Sequence, residues 1–178
     1  MGGSLTDYEI ILIIKVAPFE INSAIETGTY KGESTRMLSK YFKTVDTIEI
    51  KEDLYVQSQK NNSDCKNITY HHGDSVSHLE NIIKNTTAPR LYFIDAHISG
   101  PDSSWNEKEH VPLLKELEVI LNNDNSDCVF IFDDLRLFDN YSDWKGISKD
   151  SIKAQIKNKN RNIFLEFDEG DRYYVILQ

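Results

Sequence analysis

Apolar positions fall into two alternating patterns along the chain. Short apolar runs that end in an acid or a glycine alternate with stretches in which apolar residues recur every third or fourth position. The first pattern suits a strand buried on both faces, the second an amphipathic helix. Thr6 and Glu9 have capping-box spacing ahead of Ile10-Ile11-Leu12-Ile13-Ile14. That spacing predicts a helix over about 6–16, although the β-branched content leaves a strand open. Ile21 to Glu26 reads as the first core strand, and Met37, Leu38, Tyr41 and Phe42 mark one face of a helix over Glu33 to Phe42. A second strand runs from Thr44 to Ile50 and a polar helix follows over roughly 51–60. Asn67 to His71 is a third strand, closed by Gly73, and Val76, Leu79, Ile82 and Ile83 line the next helix.

Pro89 separates that helix from a fourth strand, Leu91 to Ile94. The polar stretch from Ser99 to Glu109, with Gly100 and Pro101, is expected to be an exposed loop. Pro112 suits a helix start, with Leu113, Leu117, Ile120 and Leu121 on its buried face. Val129 to Phe132 is a fifth strand. Residues 135–147 are irregular and aromatic, and Ser148 to Lys157 reads as a basic helix. The chain closes with a hairpin, Asn162 to Phe167 and Tyr173 to Leu177, about the turn Asp168-Glu169-Gly170-Asp171. Strand and helix alternate as far as residue 134, which implies right-handed crossovers and a mostly parallel sheet.

Composition narrows the class. The 178 residues are 39% hydrophobic and 28% charged, as expected of one globular domain spanning 1–178, with 1–5 expected to be disordered. A formal net charge of -9 argues against nucleic acid as a partner. The run at 10–14 is too short to span a bilayer and has no basic segment before it, so no membrane partner is expected. The two cysteines, Cys65 and Cys128, have no metal-ligand spacing, and a reducing, cytoplasmic location is expected.

The carboxyl ends of the strands carry the chemistry. Glu26, Glu49, Asp74, Asp95 and the pair Asp133-Asp134 end five consecutive strands or follow within a turn. In open parallel sheets ligands sit outside that edge. Glu26-Thr27-Gly28 leads through Thr29-Tyr30-Lys31 to Gly32, a glycine turn between strand and helix. Glu49 lies about 20 residues past it, where a carboxylate accepts from ribose hydroxyls; the alternative is a surface acid. Asp74 in Gly73-Asp74-Ser75 either accepts from an adenine amino group or caps the next helix. Asp95, Asp133 and Asp134 repel one another unless a cation or proton lies between them, so they are candidate Mg²⁺ ligands; otherwise Asp95 and Asp134 cap the segments after them. His97 is either a general base or a loop-orienting group. Arg136 pairs with a nearby carboxylate or clamps a substrate anion, and Trp105 and Trp144 lie in the segments expected to cover the site. The cations Lys149, Lys153, Lys157, Lys159 and Arg161 read most simply as a solvated helix face.

These ordered motifs, from Ile25-Glu26-Thr27-Gly28 through Glu49, Gly73-Asp74-Ser75 and Phe93-Ile94-Asp95-Ala96-His97 to Phe132-Asp133-Asp134, resemble those of Rossmann-like S-adenosylmethionine-dependent methyltransferases. The resemblance covers about residues 21–136 and extends to the final hairpin; it is nearest to metal-dependent O-methyltransferases. It implies an α/β fold: a doubly wound seven-stranded sheet, mostly parallel, with a C-terminal antiparallel hairpin. It assigns Glu26, Gly28 and Gly32 to the methionine end of S-adenosylmethionine, Glu49 to the ribose and Asp74 to the adenine, with Thr27, Ser75 and Asp95 beside them. Asp95, Asp133 and Asp134 would bind Mg²⁺ or another divalent cation, and Asp95 or His97 would take the acceptor's proton. Two departures stand out. Tyr30 replaces the middle glycine of the turn, and Asp134 stands where the catechol type often has Asn. The implied acceptor is a small hydroxylated molecule, its pocket completed by the N-terminal helix, residues 98–110 and 135–147, or a second subunit of a homodimer. Two other functions share the sheet: an NAD(P)-binding oxidoreductase, whose G-x-G-x-x-G turn Tyr30 interrupts, and a non-catalytic cofactor-binding module.

Overall fold

The computed structural model describes residues 3–97 and 111–178. The expected exposed loop and Trp105 lie outside the described residues. Strands β1 (Ser23–Thr27), β2 (Thr44–Glu49), β3 (Ile68–His72), β4 (Arg90–Ile94) and β5 (Cys128–Phe132) are parallel. β6 (Ile163–Glu169) and β7 (Arg172–Leu177) form the terminal hairpin, with β7 antiparallel to β5. They make one seven-stranded sheet in the order β3-β2-β1-β4-β5-β7-β6. The expected α/β sheet, mostly parallel with an antiparallel C-terminal hairpin, is therefore present.

The order reverses between β1 and β4, because β2 and β3 wind one way from β1 while β4 and β5 wind the other. At such a switch point the crossovers leave the sheet on opposite faces, and a crevice opens at the carboxyl edge. Helices α1 (Asp7–Val16) and α2 (Glu33–Tyr41) cover one face, where Ile10, Ile13, Leu38 and Phe42 pack on Ala24, Val45, Phe93, Ile131 and Tyr174. Helices α4 (Ser75–Asn85), α5 (Leu113–Asn123) and α6 (Lys149–Asn158) cover the other. There Leu79, Ile82, Leu117, Ile120, Ile152 and Ile156 pack on Ile25, Ile48, Tyr92, Phe130 and Val175. α3 (Glu52–Asn61) packs against β2 and the edge strand β3. Every residue of β1, β4, β5 and β7 is buried, whereas the edge strand β6 alternates, as one-sided cover requires.

Local signals explain several ends. The Thr6–Glu9 capping box forms and settles the ambiguous first segment as helix. Ser148 caps α6 in the same way, with Ser151 answering it. Of the N-terminal residues, 3–5 are among those described. Leu5 is buried, Ser4 Oγ donates to Glu33 Oε2 at 2.6 Å, and the Gly3 carbonyl accepts from Arg172. The basic face of α6 is internally paired in part, Lys149 with Asp168 and Lys153 with Glu166 of β6. Arg161 donates instead to the Asp124 and Ser126 carbonyls.

Candidate active site

The site is assembled where β1 and β4 end. After Thr27 the chain turns through Gly28 at φ 84°, a left-handed conformation that suits glycine. A Cβ there would lie 2.5 Å from the Asp95 backbone oxygen, so only glycine lets the β1 and β4 ends approach this closely. The turn is pinned from β2. Gly28 N and Thr29 N donate to the Ile48 carbonyl at 3.0 and 3.2 Å. Gly32, at φ 81°, closes it and begins α2; its carbonyl accepts from Asn62 Nδ2 at 2.8 Å. Tyr30, in the place of the usual middle glycine, is held at φ 49° with an exposed ring.

The acids along this edge hold different partners. Glu26 points beneath α2, where Oε2 accepts from Thr35 Oγ1 at 2.5 Å and Thr47 Oγ1 at 2.6 Å. Burial pushes its carboxyl up to about 7; the two hydroxyls oppose that shift and Glu49 adds to it. Glu49 binds the glycine turn itself, Oε2 accepting from Tyr30 N at 2.8 Å and Oε1 from Lys51 N at 2.9 Å. Burial raises its carboxyl too, against those backbone donors. Thr27 Oγ1 accepts from Asp95 N at 3.3 Å, which ties the ends of β1 and β4 together. Asp74 caps α4, accepting from Ser77 N at 3.0 Å, and the buried Ser75 donates to Glu116 of α5.

Asp95, His97 and Asp134 converge at the ends of β4 and β5. His97 packs edge-on against Trp144, with ring centroids 5.2 Å apart, and Trp144 in turn stacks on Phe138. Its Nε2 contacts Asp134 Oδ2, and its Nδ1 lies 3.4 Å from Asp95 Oδ1. Asp134 sits at φ 56°, uncommon for a residue with a side chain, and its Oδ1 accepts from Arg136. Arg136 also pairs with Asp171. Burial acts to raise the Asp134 carboxyl, but His97 and Arg136 outweigh it and hold the group below its usual range. Asp95 is pushed well above its usual range by burial and then by the charges of Asp133, Asp134 and Glu26. Burial also raises Asp133, against the charge of Arg172. Ligand atoms of Asp95, His97 and Asp134 all lie within 4.8 Å of one another, a geometry able to hold a metal ion.

Asp133 is placed differently. Its Oδ1 lies 3.1 Å from Nε of Arg172 in β7, and neither atom has an aligned hydrogen-bond partner. The rest of the guanidinium is committed to Glu9 of α1 and to the Gly3 carbonyl, and it lies 5.6 Å over the Phe93 ring. Glu9 also accepts from the Tyr174 hydroxyl at 3.0 Å. Arg172 and Glu9 therefore belong to this site, and the sequence pattern does not point to either. Arg172 falls between the hairpin turn at 168–171 and the strand read from Tyr173, and Glu9 reads as a capping-box acid.

No family model matches this sequence, and no curated protein matches it. Solved structures do. A Staphylococcus aureus protein assigned as a caffeoyl-CoA O-methyltransferase superposes with a TM-score of 0.68 at 15% identity, over 99% of this chain and 86% of that one. An S-adenosylmethionine-dependent methyltransferase from Aquifex aeolicus gives 0.59 at 16% identity, over 97% and 89%. The N-methyltransferase NodS from Bradyrhizobium japonicum gives 0.60 at 9% identity, over 94% and 89%. The fold is that of the S-adenosylmethionine-dependent methyltransferases, as the motifs in the sequence suggest.

Proposed function

We propose that the protein transfers a methyl group from S-adenosylmethionine to a hydroxyl of a small acceptor, assisted by a divalent cation. The observation that carries this reading is the join of β1 to β4. Gly28, where no Cβ fits, lies directly against the Asp95 backbone, and Glu49 accepts from the backbone of the same turn. The turn and the carboxylates beside it lie at the switch point, where carboxylates accept from hydroxyl, amino and ammonium groups. The cofactor offers such donors on its ribose, adenine and amino-acid ends. Glu26 is enclosed under α2, so its part is to hold the turn through Thr35 and Thr47. Glu49 retains acceptor capacity for ribose hydroxyls beyond its two backbone donors. Asp74 already caps α4, and a carboxylate oxygen that accepts one hydrogen bond still accepts another.

Methyl transfer is an in-line displacement at a sulfonium carbon, so positioning supplies most of the acceleration. The Asp95 carboxyl lies beside Asp133 and Asp134, and burial first, then those charges, hold it well above its usual range. A divalent cation fits this donor set, with Asp95 and Asp134 as its carboxylate ligands. When bound, it makes an acceptor hydroxyl more acidic. Asp95 takes the acceptor proton; Trp144 and Phe138 exclude water from one side. A small hydroxylated acceptor suits a chain of net charge -9, and a second subunit in a homodimer would complete its pocket.

The test is turnover of methyl-labelled S-adenosylmethionine by the full chain with Mg²⁺ or Mn²⁺ and a panel of catechols, phenols and vicinal-diol sugars. Labelled ether and S-adenosylhomocysteine are expected, lost on chelation and in Asp134→Ala. Turnover that survives both treatments would remove the cation from the mechanism. Label on nitrogen rather than oxygen would overturn the acceptor class.

A further inference from the structure

We propose that His97, together with Asp95 and Asp134, supplies the protein ligands of the divalent-cation site, and that Arg172 holds Asp133 out of it. The role of the cation rests on the methyl-transfer reading; its binding does not. The sequence leads one to expect an all-carboxylate set, Asp95, Asp133 and Asp134, and the geometry points elsewhere. The three side chains whose ligand atoms approach within 4.8 Å of one another are Asp95, His97 and Asp134. The His97 side chain is only 6% exposed, and both its ring nitrogens face carboxylates, Nε2 toward Asp134 and Nδ1 toward Asp95. The ring packs edge-on against Trp144 with one nitrogen toward each acid. Asp134 gives Oδ1 to Arg136 and turns Oδ2 to the imidazole. The second carboxylate oxygen is thereby oriented as outer partners commonly orient metal ligands.

Asp133 meets a cation already. Arg172 Nε is 3.1 Å from its Oδ1, and the guanidinium cannot swing away without breaking its contacts to Glu9 and Gly3. A permanent positive charge so close to a buried carboxylate neutralises it and repels a second cation approaching that oxygen. Asp133 then supports the site through charge, without touching the metal. The consequence is metal preference. Mg²⁺ favours all-oxygen surroundings and gives up water reluctantly, whereas an imidazole suits first-row transition ions. A set of two carboxylates and one imidazole favours Mn²⁺, Fe²⁺ or Co²⁺ over Mg²⁺.

Mn²⁺ binding to the full chain, followed by electron paramagnetic resonance, tests this without any turnover. The wild type should bind one Mn²⁺ and show nitrogen coupling in the electron spin echo, with Mg²⁺ displacing it only in more than about tenfold excess. His97→Ala should lose the nitrogen coupling and bind at least ~10-fold more weakly. His97→Gln, which offers an oxygen, should recover part of the affinity without the coupling. Asp133→Asn should keep the coupling. The proposal is overturned if Mn²⁺ does not bind, if it binds without nitrogen coupling, or if Asp133→Asn abolishes binding while His97→Ala does not. S-adenosylhomocysteine affinity, measured on each variant, reports its folding. If the wild type fails to bind S-adenosylhomocysteine, the methyl-transfer reading falls while the metal result stands.

Discussion

Glu26 is an acid at the end of a core strand, buried almost completely and satisfied by two threonine hydroxyls. Its folded-state pKa of about 7 stands above the ordinary 4.5. Between those values the folded chain binds a proton that the unfolded chain has released. The stability this group contributes is therefore complete below about 4.5 and is lost as pH rises through about 7. The change is at most about 3 kcal/mol over that window. Glu26→Gln should flatten the wild-type decline between pH 5 and pH 7, as read by urea denaturation at each pH. A parallel decline in the variant would assign the effect to another group, Asp95 first. Gly28→Ala tests the neighbouring position. Its methyl group would meet the Asp95 backbone at 2.5 Å in a strained left-handed turn, so β1 and β4 must part. A loss of stability of about 2 kcal/mol or more is expected, and cofactor binding should fall with it. At this scale the sequence was legible where function sits on periodicity. The acids at strand ends could be read because strands end where apolar runs end. The partners of those acids could not. Glu9 and Arg172 are 163 residues apart, and nothing local in either segment reports their meeting.

The N-terminal helix shows the same division. Its capping box is a local signal and was readable; the box settled as helix a segment whose β-branched run also suits a strand. Its second task is tertiary. Glu9 serves both the cap and the buried guanidinium of Arg172, so α1 is fastened to the hairpin that closes the sheet. Composition says nothing about a carbonyl at Gly3 that a buried arginine needs. Two substitutions separate the tasks. Thr6→Ala removes one cap acceptor and should cost about 1 kcal/mol. Glu9→Ala leaves Arg172 buried with only part of its charge answered and should cost about 3–5 kcal/mol. Chemical denaturation of both variants checks this, and equal losses would mean that the ion pair adds nothing beyond the cap. The basic helix α6 is the opposite case. Its lysines read as a solvated face, and they pair with acids of β6 on that surface.

For the molecule as a whole, alternation of strand and helix carried the fold class, and the strand order gave it a place to act. β1 and β4 part company at the centre of the sheet, and the tight turn, the acid bound to it and the acid cluster all gather at that edge. The partner of Asp133 was less legible, because the arginine that reaches it comes from β7. Among the described residues no helix is long and apolar enough to cross a membrane. The β1–β4 crevice is proposed as an S-adenosylmethionine site. The most direct measurement is calorimetric titration of the full chain with S-adenosylhomocysteine and, separately, with NADH. One molecule of S-adenosylhomocysteine should bind, with a dissociation constant on the order of micromolar, and NADH should give no binding. Binding of NADH with none of S-adenosylhomocysteine would instead assign the crevice to a dinucleotide.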